Sequence, residues 1–354
     1  DFLALCSSNL SAPEIKLPAD NFNTVLYTGT SATPQTISGV GFEADFTWLK
    51  VRAGSGTAWH ALQDSVRGDG SLSTNATDAE WGGSDYFGGW NSDGFVLAPV
   101  TSGSSFNENT YTYSAWNWLG DGVAGGTLNE DGSEDSQVNV NTTAGFSIAT
   151  YTGTGSLATI GHGLTQAPEL VIIKDRDASE QWLVYAEPIG NTKFLKLSSD
   201  AAATTDTSGN RWNSTSPSAT VFTVNIDSAV NTSTNDYVAY CFHSVEGYSK
   251  VGSYTGNGNA DGGFVYTGFQ PAYVLVKTDP QVYNWYQTDN KSTPRNVRDN
   301  VLYPDLAVAH GSSWPWIDFV SNGFKLRTSS NAVNNYAQLY IAFASHPFKY
   351  SNAV

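Results

Sequence analysis

The chain has 354 residues and a formal net charge of −16, from 33 acidic and 17 basic side chains. A protein that binds duplex nucleic acid needs basic patches to displace counterions, so this balance argues against nucleic acid as a partner. No stretch approaches the roughly 20 consecutive apolar residues of a membrane-spanning helix, so membrane insertion is not expected.

Turn-forming residues separate short β-branched and aromatic segments throughout the chain, which predicts an all-β protein. Residues 1–22 are predicted to be an extended entry segment, because Pro13 and Pro18 flank its apolar residues Ile15 and Leu17. A first unit follows at residues 23–119, with strands predicted at 24–27, 36–40, 45–51, 58–64, 94–97 and 111–118.

Three phrases of this first unit return downstream at the same two offsets. Tyr27-Thr28-Gly29 recurs 124 positions later at Tyr151 and a further 103 positions later at Tyr254. Two other phrases recur at the same offsets. An apolar phrase that ends in lysine occupies residues 46–50, 170–174 and 273–277. A later phrase that begins with tyrosine occupies residues 113–116, 237–240 and 340–343. Shared offsets of this kind indicate an internal threefold repeat.

The repeat predicts three tandem antiparallel β-sandwich units, because one sheet of short strands cannot bury both of its faces. The second unit covers residues 144–247, and the third unit with its C-terminal tail covers residues 248–354. Residues 120–143 are rich in glycine and acidic side chains and are predicted to form a linker, with room for a small edge hairpin. The lysine-ended phrase of each unit shows no alternation, so this strand is expected to be buried on both faces.

Seven phrases of the chain share a pattern with one protein family. They lie at residues 27–29, 39–50, 141–148, 161–168, 254–262, 321–327 and 347–353. Together they resemble a family of bacteriophage virion proteins from marine and cyanobacterial phages, labelled as tail-fibre or structural proteins. In longer members this region follows a lectin-like SPRY-type sandwich. The resemblance therefore implies a preceding domain, which agrees with a chain that starts at Asp1 and contains no methionine.

A lysine, a tryptophan and an aspartate recur around the lysine-ended strand. The residues assigned to this set are Lys50, Trp59 and Asp64, then Lys174 and Trp182, then Lys277, Trp285 and Asp289. A lysine at the end of a buried strand can pair with a carboxylate while a tryptophan covers its aliphatic stem. We interpret the set as structural scaffold, and three copies of a ligand site are the alternative.

Five further tryptophans lie in the segments that differ between the units. They are Trp81, Trp90, Trp212, Trp314 and Trp316. Aromatic rings among Ser, Asn, Gly and Asp offer flat apolar area together with adaptable hydrogen bonding, as sugar- and protein-binding surfaces do. The alternative is that each ring covers the open end of its own sandwich.

One loop carries the first half of a calcium-binding pattern. Asn257, Asn259 and Asp261 place oxygen atoms at positions one, three and five, but Gly268 stands where the pattern requires a bidentate acid. We therefore expect an Asx-turn hairpin, with weakly bound Ca²⁺ as the alternative. The acidic run at residues 130–135 is interpreted as a solvated charged stretch.

No catalytic motif stands out in the sequence. The five histidines have no zinc-ligand spacing, and His162, in a tight Gly-His-Gly turn, is expected to bond the backbone. A pair of carboxylates for glycan cleavage is recognised by its separation in space, which the sequence does not give. Cys6 and Cys241 can form a disulfide or remain separate thiols, and we expect separate thiols.

These observations predict a non-enzymatic virion protein, the distal part of a tail fibre or surface appendage. It would adhere to a host-surface glycan or protein and contact other virion proteins at the particle surface, as a homotrimer or as three units closed within one chain. The alternatives are a capsid or tail decoration protein without a receptor, and a glycan depolymerase.

Overall fold

The computed structural model describes residues 9–31, 34–54, 59–82, 86–98, 106–311 and 314–351. These residues form an all-β protein of antiparallel sheets, which confirms the predicted fold class. In the part of the chain that the structure describes, the complete helical elements are two four-residue helices, α1 (Ser228–Asn231) and α2 (Asn331–Asn334), and short 3₁₀ turns at Pro18–Asp20, Glu187–Ile189 and Phe348–Tyr350. None of the described helices is long and apolar enough to cross a membrane.

The strands fall into three successive groups. The first group comprises β1 (Phe22–Thr28), β2 (Gln35–Ser38), β3 (Phe46–Ala53), β4 (His60–Asp64), β5 (Phe87–Asn91), β6 (Gly94–Leu97) and β7 (Thr112–Trp118). The second comprises β8 (Thr127–Asn129), β9 (Ser136–Asn141), β10 (Phe146–Thr152), β11 (Ala158–Gly161), β12 (Leu170–Asp175), β13 (Leu183–Ala186), β14 (Lys193–Lys196), β15 (Thr204–Thr205), β16 (Val221–Val224) and β17 (Asp236–Phe242). The third comprises β18 (Ser249–Thr255), β19 (Phe264–Tyr266), β20 (Phe269–Thr278), β21 (Tyr286–Asp289), β22 (Ile317–Val320), β23 (Gly323–Leu326) and β24 (Ala337–Pro347).

Each group contains one large and one small sheet. The large sheets contain the orders β1-β7-β3-β4, β10-β17-β12-β13 and β18-β24-β20-β21, and the second is extended at both edges to eight strands. The small sheets are β2-β6-β5, β11-β16 and β19-β23-β22. The same spatial order in all three large sheets is the arrangement that an internal repeat predicts.

The register of the large sheets shows which residues occupy corresponding positions. Lys50 lies opposite His60. In the other two hairpins the ladders end at Ile173–Leu183 and Val276–Tyr286, and the next positions place Lys174 opposite Trp182 and Lys277 opposite Trp285. The predicted equivalence of Trp59 with these two tryptophans is therefore wrong, because the chain from the lysine to its partner is two residues longer in the first unit and His60 takes that place.

The lysine-ended strands β3, β12 and β20 are buried almost throughout, as their unalternating sequences predict. Their outer faces lie inside three separate sandwich cores, one in each unit. Their inner faces belong to one further core that contains residues of all three large sheets. A strand between two apolar layers needs apolar residues at every position, which explains the missing alternation.

Aromatic rings fill the centre of this shared core. Phe46 of the first unit lies 4.4 Å from Tyr240 of the second, between ring centroids, and Phe22 lies 4.9 Å from Phe343 of the third. Stacked and edge-to-face pairs at such distances add roughly 0.5–1.5 kcal/mol each beyond the area that they bury. The three units consequently bury their inner faces against each other.

Three corresponding segments connect neighbouring units, and we call residues 73–80, 196–203 and 303–310 the interlock segments. The first carbonyl of each segment accepts a hydrogen bond from a side chain of the next unit: Trp182 Nε1 to Ser73 O at 2.9 Å, Trp285 Nε1 to Lys196 O at 2.8 Å, and His60 Nε2 to Tyr303 O at 2.9 Å. The last N–H of each segment donates to the same neighbour: Glu80 to Arg176 O at 2.7 Å, Ala203 to Asp279 O at 2.8 Å, and His310 to Arg52 O at 2.9 Å. These contacts run from first to second, second to third and third to first unit, and thus close a ring.

A second set of corresponding positions also lies between neighbouring units. Two of the three interfaces have a hydrogen bond there, and the third has two apolar side chains. Tyr240 Oη donates to Asp64 at 2.7 Å, and Trp116 Nε1 donates to Asp289 at 3.2 Å. The corresponding positions of the third pair hold Phe343 and Ala186, both buried. Replacing both partners of a buried hydrogen bond by apolar groups is nearly neutral, whereas replacing one is costly, so the pair changes together.

Residues 120–143, predicted as a linker with room for an edge hairpin, contain β8 and β9. Strand β9 pairs with β10 and so extends the second large sheet. Asn139 of β9 donates to Asp45 of the first unit at 2.7 Å, and Gly120 N–H donates to the same carboxylate at 2.7 Å. This segment therefore fixes the first unit to the second.

The interlock predicts a stability cost for losing one ring N–H. Trp182→Phe keeps most of the apolar contact but leaves the Ser73 carbonyl buried without its donor, so we expect a loss of about 1–3 kcal/mol in the free energy of unfolding. Trp182→Ala should cost about 3–5 kcal/mol, since it also opens a cavity. Urea denaturation measures both.

The control is Tyr266→Phe, at an exposed ring, which should stay within about 0.5 kcal/mol of the wild type. A Trp182→Phe protein as stable as this control would contradict the role of the interlock bond.

Candidate functional site

An open aromatic cleft lies in the first unit. It has a volume of about 370 Å³ and is lined by Trp59, Trp81, Tyr86 and Phe106 together with Asp78 and Ala79. Trp59, Trp81 and Tyr86 are half-buried, and Asp78 is exposed. Flat rings that present one face to solvent beside a carboxylate can stack on a sugar ring and accept its hydroxyl hydrogen bonds.

The cleft is held by well-fixed backbone. Trp81 forms a β-bridge with Ser71, with N–H···O distances of 2.9 and 3.1 Å, and its ring meets Tyr86 edge-on at 4.9 Å. Trp59 immediately precedes His60, whose ring bonds the third unit. Asp78 and Ala79 belong to the first interlock segment, so the walls of the cleft are anchored to both neighbouring units.

An ion network fixes the adjoining Glu80. Its two carboxylate oxygens lie 2.5 Å from Arg67 Nη1 and 2.6 Å from Arg176 Nε. Arg67 also contacts Asp64 at 2.5 Å, and both of these side chains are fully buried. Removing one partner of such a buried pair leaves an uncompensated charge, so the network makes the base of the cleft rigid.

The cleft has a negative electrostatic environment. Asp78 is the only charged residue in its described lining. Between Thr77 and Tyr111 the sequence contains five acidic residues and no lysine or arginine. A ligand that carries negative charge would be repelled by Asp78, although Lys174 of the second unit lies close enough for this carboxylate to raise the pKa of its ammonium group and so offsets part of the repulsion.

The other four tryptophans predicted to bind lie elsewhere. Trp212 and Trp316 are core residues, 3% and 0% exposed, so they offer no surface for a ligand and the binding prediction is wrong for them. Trp314 is half-buried and stacks on Trp316 at 5.8 Å. Trp90 donates from its ring N–H to Thr47 at 3.0 Å and packs against the first sandwich core. Of the five, only Trp81 lines the cleft.

Two of the repeated lysines, Lys50 and Lys277, bond across the interfaces between units, whereas Lys174 bonds within its own unit. Their ammonium groups bond backbone carbonyls: Lys50 to Leu306 O at 3.1 Å, Lys174 to Ala178 O at 3.1 Å, and Lys277 to Asp200 O at 2.9 Å. Burial lowers the pKa of Lys50 to about 7, against the opposing charge of Asp305, and lowers those of Lys174 and Lys277 to about 8. The expected pairing with Asp64 and Asp289 is wrong, because those carboxylates bond Arg67, Trp116 and Ser292 instead.

The calcium-like loop forms Asx turns. Asn257 and Asn259 use their side-chain oxygens to accept backbone N–H groups two residues later, each at 3.0 Å. Asp261 pairs with Lys325 at 2.7 Å, and this contact lowers the pKa of its carboxyl. No group of three or more His, Cys, Asp or Glu side chains within the described residues has a geometry that could hold a metal ion.

Two histidines serve the scaffold. His60 Nδ1 accepts from Trp48 Nε1 at 2.8 Å, so its proton lies on Nε2 and is donated to Tyr303 O. His162 Nδ1 accepts from Leu164 N–H at 3.1 Å, and Nε2 lies 3.2 Å from Ser218 O, which confirms the predicted role toward the backbone. Cys241 is a free buried thiol, whereas Cys6 lies outside the described residues.

Most residues that line the cleft could not be predicted from the sequence pattern. Tyr86, Phe106 and Asp78 have no signal of their own, because only the folded loops bring them to Trp81. Trp59 was detectable, since correct alignment on His60 leaves Gln181 and Asn284 at its corresponding positions. An aromatic residue that is polar at the corresponding positions of the other units serves a purpose in its own unit alone. A residue that recurs in all three units serves the shared scaffold.

Residues 17–347 match a family described as a domain of unknown function, DUF7483, and the chain belongs to this family. No curated protein matches the chain.

The buried histidines predict an acid-sensitive fold. Burial lowers the pKa of His162 to about 4, whereas an unfolded histidine has a pKa near 6.5. Between these values the unfolded chain binds a proton that the folded chain does not, so stability decreases as the pH falls. From pH 7 to pH 4 this one group should remove on the order of 3 kcal/mol.

Comparing urea unfolding of the wild type and His162→Asn across this pH range checks the effect. The asparagine oxygen can still accept the Leu164 N–H but does not titrate, so the variant should lose less stability on acidification. Parallel pH profiles for the two proteins would contradict the assignment.

Proposed function

We propose that this protein is a non-enzymatic bacteriophage virion protein that binds a host-surface glycan through the aromatic cleft of its first unit. The observation that carries the proposal is the joint lining of one open cleft by Trp59, Trp81 and Tyr86 beside the exposed Asp78. The virion location is supported by the sequence resemblance to phage tail-fibre and structural proteins, as part of a fibre or surface appendage.

The chemistry of the cleft favours a neutral sugar. Stacking on the aromatic faces supplies apolar contact at a small entropic cost, because these rings are already held by the core. Asp78 supplies acceptors for sugar hydroxyl groups, and the acidic surroundings disfavour uronic and sialic acids. The volume lies at the lower end of the roughly 300–1,000 Å³ typical of ligand pockets.

Binding is favoured over cleavage by the composition of the same cleft. Most glycoside hydrolases use two carboxylates, roughly 5–10 Å apart, across the scissile bond. The described lining supplies one, Asp78, while the nearby Glu80 has both oxygens held by arginines. A single carboxylate beside aromatic rings fits the recognition of a sugar.

The shared core supports a particular form of the appendage. All three large sheets bury their inner faces within one chain, so we propose a cap of three units closed by a single polypeptide. Several such caps on one particle would raise the apparent affinity for a surface glycan through effective concentration, and a shallow site would suffice.

Truncating the cleft should weaken adhesion without unfolding the protein. Trp81→Ala and Tyr86→Ala each remove a half-buried ring. We expect at least about tenfold weaker binding to neutral host-surface oligosaccharides, because each variant loses one stacking contact with the sugar. Isothermal titration against glycans identified on an array measures this. The control Trp314→Ala removes a half-buried ring of the third unit and should bind as the wild type does; wild-type binding by Trp81→Ala would remove the cleft from consideration.

The acidic cleft also predicts charge selectivity. Asp78→Asn keeps the size and one acceptor of the side chain but removes its charge, so binding of uronate-containing oligosaccharides should become stronger relative to neutral ones. Titration of both proteins with a matched neutral and acidic pair tests this. A wild-type protein that prefers the acidic glycan would contradict the expected selectivity while leaving glycan binding itself intact.

A further inference from the structure

The hairpin β8–β9 covers two sheet edges of the second unit at once. Strand β9 pairs with β10, the edge that the large sheet would otherwise expose. The loop that follows β8 runs along β11, the edge strand of the small sheet, through a parallel bridge between Glu134 and Ile160. Exposed sheet edges present unpaired N–H and C=O groups to any passing chain, and this insertion pairs them.

The contacts on β11 are specific. Thr159 O accepts from Glu134 N–H at 3.2 Å, and Thr159 N–H donates to Ser133 Oγ at 2.9 Å. Ser136 Oγ donates to Gly161 O at 2.7 Å. Gly132 passes so close that a Cβ there would lie 2.3 Å from Thr159 O. This is strand addition carried out by the chain on itself.

The third unit lacks this hairpin, and only the start of the β18 edge is covered: Ser249 forms a bridge with Val245, and Val251 N–H donates to Ser244 Oγ at 3.0 Å. Among the described residues β18 pairs only with β24, and β19 only with β23. The connection between β17 and β18 spans only residues 243–248, too short for an equivalent hairpin. Leu326 N–H donates to Gly263 O at 3.1 Å and Thr267 N–H to Asn322 O at 3.0 Å. Since backbone direction alternates along a strand, the N–H and C=O groups of Phe264 and Tyr266 point toward the open edge.

The side chains of this edge differ from those at corresponding positions. The register of the small sheets aligns Val265 with Ile37 and Ile160. Phe264 and Tyr266 thus replace Thr36 and Ser38 of the first unit, and Thr159 and Gly161 of the second. The two rings are 50% and 56% exposed. Exposed aromatic residues on an open edge strand are typical of a surface that a partner covers.

The charge at this edge indicates the chemistry of the partner. Lys250 of β18 lies 5.8 Å from the Tyr266 ring centre and forms no ion pair among the described residues. Lys325 lies opposite Phe264 on β23, although Asp261 already pairs with it. Glu14 and Glu246 line the cavity beside Tyr266, and Lys250 supplies a local cation at this edge. The hairpin that covers the corresponding edges of the second unit contains four acidic and no basic residues at positions 127–141.

We infer that the β18 and β19 edges of the third unit form the docking site for an extended acidic β-hairpin of a partner protein. The partner adds to β19 as residues 127–141 add to β11, and to the open end of β18 at residues 253–255. Main-chain hydrogen bonds supply the affinity, while Phe264, Tyr266 and Lys250 distinguish this edge from that of the first unit. The inference is independent of the glycan cleft, which lies in the first unit.

The probe is a fluorescent 15-residue peptide with the sequence of residues 127–141, titrated into the full-length protein. The internal copy already occupies the second unit, so saturable binding must use another edge. The variant combines Lys250→Asn, Phe264→Thr and Tyr266→Ser, which copies Asn23, Thr36 and Ser38 of the first unit and therefore suits the fold. We expect about tenfold or greater loss of affinity in this variant and slower amide exchange at residues 264–266 of the wild type when peptide is present.

Two controls separate this site from general adhesion. Thr36→Ala with Ser38→Ala changes the corresponding edge of the first unit and should leave peptide affinity unchanged. A peptide with its four acidic residues amidated should bind more weakly, and more so at low salt, where charge attraction is strongest. No saturable binding of the acidic peptide at millimolar concentration, or equal affinity for wild type and triple variant, would overturn the inference.

Discussion

The structure depends on the burial of three sheet faces against each other. An inner face of Phe46, Tyr240, Tyr273 and their neighbours is too apolar to remain in water, and the large sheets of the other units provide its cover. The ring N–H donors of His60, Trp182 and Trp285 then fix the relative positions of the units, because each of them has its partner in a neighbouring unit. Neither the sandwich of one unit nor the interlock segments are complete alone.

This constraint separates the parts of the chain that are free to vary. One pair of positions at the interfaces between units changes together: Phe343 and Ala186 stand where the other two interfaces use a hydrogen bond. The loops at the periphery have no such restriction. The aromatic cleft of the first unit and the aromatic edge of the third unit both lie in these peripheral elements, which is where we place recognition.

Much of the fold could be predicted from the sequence, because local patterns determine it. The unalternating phrases ending in Lys50, Lys174 and Lys277 identify strands buried on both faces, and turn residues delimit most strands of the first unit. Strand β5 was missed, since its Phe-Gly-Gly-Trp-Asn sequence has little β-propensity and pairs through a register shift. The shared core was not visible either, because a strand buried by its own sandwich and one buried by a neighbouring unit have the same apolar sequence.

The candidate site was less predictable, since it depends on which residues the loops bring together. Spacing assigned Trp59 to the scaffold, although the longer chain between Lys50 and His60 moves it into the cleft, and Trp212 and Trp316 turned inward to fill their sandwiches. Of the five loop tryptophans Trp81 lines the cleft, and its role in binding stays a prediction.

The central claim is that one core holds all three units together. Differential scanning calorimetry of the full chain tests it most directly, because units with separate cores unfold independently. A shared core predicts a single transition whose calorimetric and van't Hoff enthalpies agree. Two or three separable transitions, or a calorimetric enthalpy several times the van't Hoff value, would contradict the account.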